Sequence, residues 1–434
     1  VSAKEQFHRE NVMRSLRALA WGTALVLAIA GSARAESVGQ SQPEQLGFSR
    51  TKLEALGTFY KDEVSAGRIP GAAILVQRRG QPAYFETFGV RNPATKAPMT
   101  ADTLFRIYSM TKPITSVAAM MLVEEGKLSL ADPVSKYIPA FAKSQVGVEK
   151  TGDDGKPALD LVPVRRPMTI QDLLRHTSGL TYSFSGRGLV HQQYAALRFE
   201  RYRVSNEEFV NKIASLPLAH QPGTTWEYSH STDVLGRVIE VVEGKPLLAV
   251  FKERLFDPLG MKNTSFYVTD PGRHALIAEP LPDDGGGMFD PRIEMKWQSG
   301  GGGLVSTIGD YARFAQMIVN GGVLDGKRYL APKIFAWMTS DHIGPSTRIV
   351  KTPGYLPGAG YGFGLGFAVR IEQGASAVAG SVGELNWGGA GGTYFWADPK
   401  EEMFVVMMMQ SPAQRLRVRS TIKSLVYGAL DKPN

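Results

Sequence analysis

The sequence predicts an α+β fold: an antiparallel sheet flanked by N- and C-terminal helices, with a mostly helical lobe inserted between its halves. Three observations carry this. Strand-like stretches cluster at the two ends of the chain, helical patterns fill the middle from about 169 to 345, and an amphipathic helix stands at either end.

In chain order, "FSRTKLEALGTFYKDEVSAG" places Leu53, Leu56, Phe59, Tyr60 and Val64 near helical spacing, with Ser49 where an N-cap belongs. "GAAILVQRRG" and "QPAYFETFGV" read as two strands joined at Gly80-Gln81. Residues 143–167 are polar and punctuated by Gly and Pro, which predicts a surface excursion. "MTIQDLLRHTSGL" reads as a short helix ending at a Ser-Gly turn. Strand signals return in "GYGFGLGFAVRI", "GGTYFWADP" and "EEMFVVMMMQ", before a last helix over about 412–430. The first two and last three strands are expected to share one sheet. A sheet lobe (about 45–105 and 360–430) and a helical lobe (about 106–345) would then form a single domain over 36–434, with a cleft suited to a ligand between them.

"MRSLRALAWGTALVLAIAGSARA" (13–35) joins two arginines, a short apolar run and a small-residue ending, the pattern of a cleavable signal peptide, so a periplasmic or secreted protein is expected. Residues 1–12 read as upstream sequence. The apolar run from Ala18 to Ala30 is short for a bilayer span, and nothing later approaches that length, so no stable membrane span is expected after cleavage. The net charge of +8 falls to +5 without residues 1–35, which carry five basic and two acidic side chains. The densest basic run, "RLRVRSTIK", interleaves arginine with Leu416, Val418 and Ile422 and reads as a solvated helix face, so no nucleic-acid partner is expected. The absence of cysteine excludes disulfides and thiolate chemistry.

Ser-x-x-Lys occurs three times, at Ser49/Lys52, Ser109/Lys112 and Ser420/Lys423. A serine hydroxyl needs an adjacent base, and a lysine three residues on along a helix face can reach it. Ser109 follows a short strand, "LFRIY", and opens a helix whose body, "VAAMML", is too apolar to be exposed. Burial and the positive end of the helix dipole both favour a neutral lysine there. Ser49 is accounted for as a cap, and Ser420 lies mid-helix on an arginine-rich face. No Gly-x-Ser-x-Gly elbow and no His-Glu-x-x-His pattern occur. The acidic doublets (153–154, 283–284, 401–402) read as solvated, and "SGGGGL" as flexible backbone. A second proton carrier is needed. Tyr228, between a Pro-Gly turn and the helix "DVLGRVIEVV", is one candidate, although from that stretch alone packing at a helix entrance is the better reading; Tyr182 in "GLTYSFSG" competes with it.

Taken together, "SMTKPIT", "LLRHTSGL", "PGTTWEYSHSTDVLGRVIE", "DPLGMKNTSF", "GGGLVSTIGDYARF" and "WGGAGGTYFWADP", in this order over roughly 45–430, resemble the serine β-lactamase and penicillin-binding protein superfamily. In detail they look like its family VIII carboxylesterases, relatives of class C β-lactamases. The resemblance implies Ser109 as acylated nucleophile, Lys112 as its base and Tyr228 as proton carrier. It also implies an oxyanion hole from the Ser109 and Ala390 amides, and no metal or cofactor. Trp387-Gly388-Gly389 stands where β-lactamases carry Lys-Thr-Gly; the literal Lys150-Thr151-Gly152 comes too early in the chain. His230 replaces the asparagine of the class C Tyr-x-Asn. Trp387, Gly388, Gly389 and His230 are therefore expected to contact substrate, and the two departures lean toward small neutral esters. A class C-like β-lactamase, a D-alanyl-D-alanine peptidase and an acyltransferase remain as alternatives on the same fold. A non-catalytic penicillin-sensing domain would need a membrane helix or signalling module that the sequence lacks.

Overall fold

The computed structural model describes residues 42–197, 200–284 and 287–434; the expected signal peptide lies outside them. The chain enters through helix α1 (Arg50–Ser65), capped by Ser49, whose hydroxyl accepts from the Lys52 amide at 3.3 Å. The first Ser-x-x-Lys is therefore a helix start. Strands β1 (Gly71–Arg78), β2 (Gln81–Asn92) and β3 (Ala97–Pro98) form a meander. Helix α2 (Thr111–Glu124) follows, then a hairpin of β4 (Gln145–Thr151) and β5 (Pro157–Pro163). The helical region includes α3 (Ile170–Leu174), α4 (Ser231–Glu243) and α5 (Ile308–Val319). The chain returns through β6 (Tyr361–Phe363), β7 (Ala368–Arg370), β8 (Leu385–Gly388), β9 (Tyr394–Asp398) and β10 (Met403–Met409), and ends in α6 (Arg415–Ala429).

The eight strands order as β6-β7-β8-β9-β10-β1-β2-β3, every neighbouring pair antiparallel, so β1 against β10 joins the two ends of the chain in one sheet. Strand β10, "MFVVMMM", shows why no polar alternation marks it. Phe404, Val406 and Met408 enter the core shared with α2 and α5, whereas Met403, Val405, Met407 and Met409 face α1 and α6. Covered on both faces, the strand is apolar throughout. Among the described residues, no helix is long and apolar enough to cross a membrane.

One expectation is sharpened and two need correction. The surface excursion expected over 143–167 is ordered as a hairpin at residues 145–163. It is mostly exposed, with Val146 the one fully buried side chain, so its sequence lacks the apolar face that signals a strand. Lys150-Thr151-Gly152 lies at its tip. The basic run on α6 is not wholly solvated: Lys423 is buried, pairs with Glu384 and donates to the Tyr361 hydroxyl at 2.9 Å. The acidic doublets are not all solvated either: Glu401 is buried against Arg78 at 2.8 Å.

Glu63 on α1 accepts from Arg68 and from Arg417 of α6, clamping the terminal helices. Burial opposes its charge, but the two guanidiniums prevail and hold its carboxyl at about 2. A carboxylate depressed in the folded state stabilises fully above its unfolded value of about 4.3 and loses that contribution as pH falls toward 2. Glu63→Gln should thus lower the Tm at pH 7, and the gap from the parent should close between about pH 4.5 and 2 in thermal melts.

Candidate active site

Ser109 is held by three neighbouring segments. Phe105–Arg106 pairs antiparallel with Val305–Ser306, and the Ile107 amide donates to Leu304 at 3.0 Å. The Ile107 carbonyl accepts from the Thr393 hydroxyl of the β8–β9 turn at 3.2 Å. A 3-10 turn, Tyr108–Met110, then leads into α2, and the Tyr311 hydroxyl of α5 donates to the Met110 carbonyl at 3.0 Å. Tyr108 adopts φ +44°, a left-handed conformation costly for a non-glycine, so the surrounding bonds must enforce it. Ser109 stands on this turn, just ahead of the α-helix it was expected to open. Among the described residues, neither its backbone N–H nor that of Ala390 finds an intramolecular acceptor.

Lys112 is buried, and its Nζ lies 3.4 Å from Ser109 Oγ. It donates to the Gly301 carbonyl at 2.6 Å and lies 3.2 Å from the Tyr182 hydroxyl. It also sits 4.5 Å from the centroid of the Tyr228 ring. Both tyrosines from the sequence analysis therefore reach the lysine, one by its oxygen and one by its face. Burial and the charge of Asp233 push the Tyr182 hydroxyl far above its usual value, so Tyr182 stays a neutral phenol. The Tyr228 hydroxyl accepts instead from the Trp387 indole N–H at 3.4 Å.

Trp387 is buried, with its ring 5.4 Å from those of Tyr228 and Phe363. Behind Tyr228, His176 packs 5.0 Å away, and burial with the nearby Lys112 charge keeps it neutral. The "RHTSG" segment also holds the Tyr228 strand through Glu227 N–H to the His176 carbonyl at 3.0 Å.

Sequence reasoning missed two residues that fix this geometry. Asp233, in the first turn of α4, accepts from His230 Nδ1 at 2.8 Å, from the Ser299 hydroxyl and from the Gly301 amide at 3.1 Å. Burial works against its charge, but His230 and Lys112 keep its carboxyl below the usual range. Asp233 thus fixes the loop whose Gly301 carbonyl receives Lys112. A Cβ on Gly301 would stand 2.8 Å from the Asp233 carboxylate, so the glycine run, expected to be flexible, permits a close approach that locks it. His230 is brought to the site edge-on to Tyr182, at 4.2 Å.

The other is Arg419 of α6, which donates to the Gly389 and Thr393 carbonyls, the latter at 2.9 Å, and so braces the turn that carries Ala390. A Cβ on Gly388 would lie 2.4 Å from its Cζ, which is why a glycine stands there. The pair of small residues was the sequence signal for a side chain packed across the strand. Arg419→Ala should lower kcat for p-nitrophenyl butyrate about 10- to 100-fold if the Ala390 amide on the turn it braces serves as an oxyanion donor, with KM little changed in steady-state assays.

A Ser-x-x-Lys pair on a turn before a buried helix, beside the end of a strand of an antiparallel sheet, defines a hydrolase of the serine β-lactamase fold. A family model described as beta-lactamase matches residues 54–426, and the chain belongs to that family. Protein Rv1367c of Mycobacterium tuberculosis is 36% identical over 360 residues, 81% of this chain and 88% of its own length. Esterase EstB of Burkholderia gladioli is 30% identical over 379 residues, 81% of this chain and 89% of its own. Among solved structures, EstCE1, a hydrolase with promiscuous acyltransferase activity, matches with a TM-score of 0.70 at 29% identity, covering 88% of this chain and 99% of its own.

Proposed function

We propose that the chain is a serine carboxylesterase that hydrolyses short-chain acyl esters through an acyl-enzyme on Ser109. The observation that carries this is the position of Lys112 Nζ, 3.4 Å from Ser109 Oγ, in a buried site with two unpaired amides beside it. Lys112, once it has given up its own proton, takes the Ser109 proton as Oγ bonds to the ester carbonyl carbon. The resulting oxyanion receives the Ser109 and Ala390 N–H groups. As the carbon–oxygen bond to the alcohol breaks, Lys112 and Tyr228 return the proton to the leaving oxygen. Water, deprotonated by the same pair, then attacks the acyl carbon; the carbon–Oγ bond breaks and the pair returns that proton to Ser109 Oγ, releasing the acid. Residues 13–35 act as a cleavable export signal, which places the catalytic domain in the periplasm or outside the cell.

Trp387 favours neutral esters over β-lactams, because an indole offers no charge to pair with a substrate carboxylate. Such charge-assisted bonds are worth roughly 1.5–3 kcal/mol, about ten- to a hundred-fold in selectivity. The test is the ratio of kcat/KM for nitrocefin to that for p-nitrophenyl butyrate. The parent should favour the ester, and Trp387→Lys should raise the ratio. Gly388→Thr is unsuited as a companion change, since its Cβ would displace Arg419. A parent that prefers nitrocefin would overturn the esterase assignment.

A further inference from the structure

Phe184 is 71% exposed, the one strongly exposed phenylalanine among the described residues, where phenylalanine is ordinarily buried. Its backbone is firmly held. The Ser185 amide donates to the Tyr182 carbonyl at 3.1 Å, closing a turn with Phe184 inside it, and the Ser185 hydroxyl donates to the Tyr228 carbonyl at 2.7 Å. The Phe184 ring stacks on Tyr182, centroids 4.8 Å apart and planes 15° apart, so one face is covered and the other is open. Its centroid lies 6.5 Å from that of Tyr228. An apolar ring is thus fixed next to the two tyrosines that surround Lys112.

We infer that Phe184 and Tyr182 form the subsite for the alcohol half of the substrate, and that this alcohol carries an aryl or fused-ring apolar group. The inference rests on the esterase reading above. The leaving oxygen must take its proton from Lys112 and Tyr228, so it lies beside Lys112 Nζ, which is 3.2 Å from the Tyr182 hydroxyl. Trp387 packs on Tyr228 from the β8 strand, near the turn that carries Ala390, and is buried there. The carbon skeleton on the leaving oxygen therefore runs toward Tyr182 and out across the open face of Phe184, where a flat apolar group gains stacking and is shielded from water.

The test uses 2-naphthylmethyl butyrate and ethyl butyrate, which share an acyl group, followed by pH-stat titration. Phe184→Ala should lower the naphthylmethyl-to-ethyl ratio of kcat/KM about three- to tenfold, and Phe184→Trp should keep it. Equal losses on both esters, or an unchanged ratio, would overturn the subsite. So would a loss confined to ethyl 2-naphthylacetate, which places the ring on the acyl side. If the parent hydrolyses none of these esters, it is the esterase assignment that fails. The shelf is then judged by saturation-transfer NMR with 2-naphthylmethanol on the Ser109→Ala protein. A signal that Phe184→Ala abolishes supports it, and a signal indifferent to that change overturns it.

Discussion

Ser109→Ala should lower kcat/KM for p-nitrophenyl butyrate by about 10⁴ or more, while the protein stays folded. With the proposed nucleophile removed, only the rate gained from binding and oxyanion stabilisation would remain. The side chain is small and half-buried, and its turn is held by the Ile107, Met110 and Thr393 bonds rather than by the hydroxyl, so the backbone should persist. Ser49→Ala and Ser420→Ala should remain within about twofold of the parent, since one hydroxyl caps α1 and the other bonds to carbonyls of its own helix.

Lys112→Ala and Tyr228→Phe should each cost about 10³ in kcat, and the double variant should be little worse than either alone. Groups that move one proton act as a unit, so their losses do not add. Tyr182→Phe separates the two tyrosines. It removes a hydroxyl that stays protonated but keeps the ring against Tyr228 and His230, so its loss should not exceed about tenfold. If Tyr182→Phe instead matches the Lys112→Ala loss and Tyr228→Phe is mild, the proton route runs through Tyr182.

What could be read in the sequence was largely local. Ser109 and Lys112 are three residues apart, so helix geometry alone brings them within reach, and the apolar body of α2 signals the burial that singles them out from two other matches. Strand β10 and the N-cap at Ser49 follow from equally short-range rules. The hairpin of β4 and β5 escaped because backbone pairing, with little buried apolar surface, holds it together. Asp233 and Arg419 escaped for a different reason. Asp233 reads as an ordinary acidic residue in the first turn of a helix, and its bonds to Ser299 and Gly301 exist only because α4 packs beside the glycine loop. Arg419 sits in an arginine run, and only the path of α6 across the sheet turns it toward Gly389. Tyr182 and Tyr228 could not be ranked without the lysine between them. The folded chain separates them by geometry: Tyr182 turns its hydroxyl to Lys112, whereas Tyr228 turns its ring face to Lys112 and its hydroxyl to the Trp387 indole N–H.

The central claim, that Ser109 carries the acyl group, is tested most directly by covalent trapping. The protein is incubated with a p-nitrophenyl alkylphosphonate, digested, and its peptides are weighed by mass spectrometry. A single adduct per chain on the peptide containing Ser109 is predicted, forming much more slowly in Lys112→Ala. An adduct on Ser420 or another serine, with Ser109 unmodified and activity lost, would contradict it.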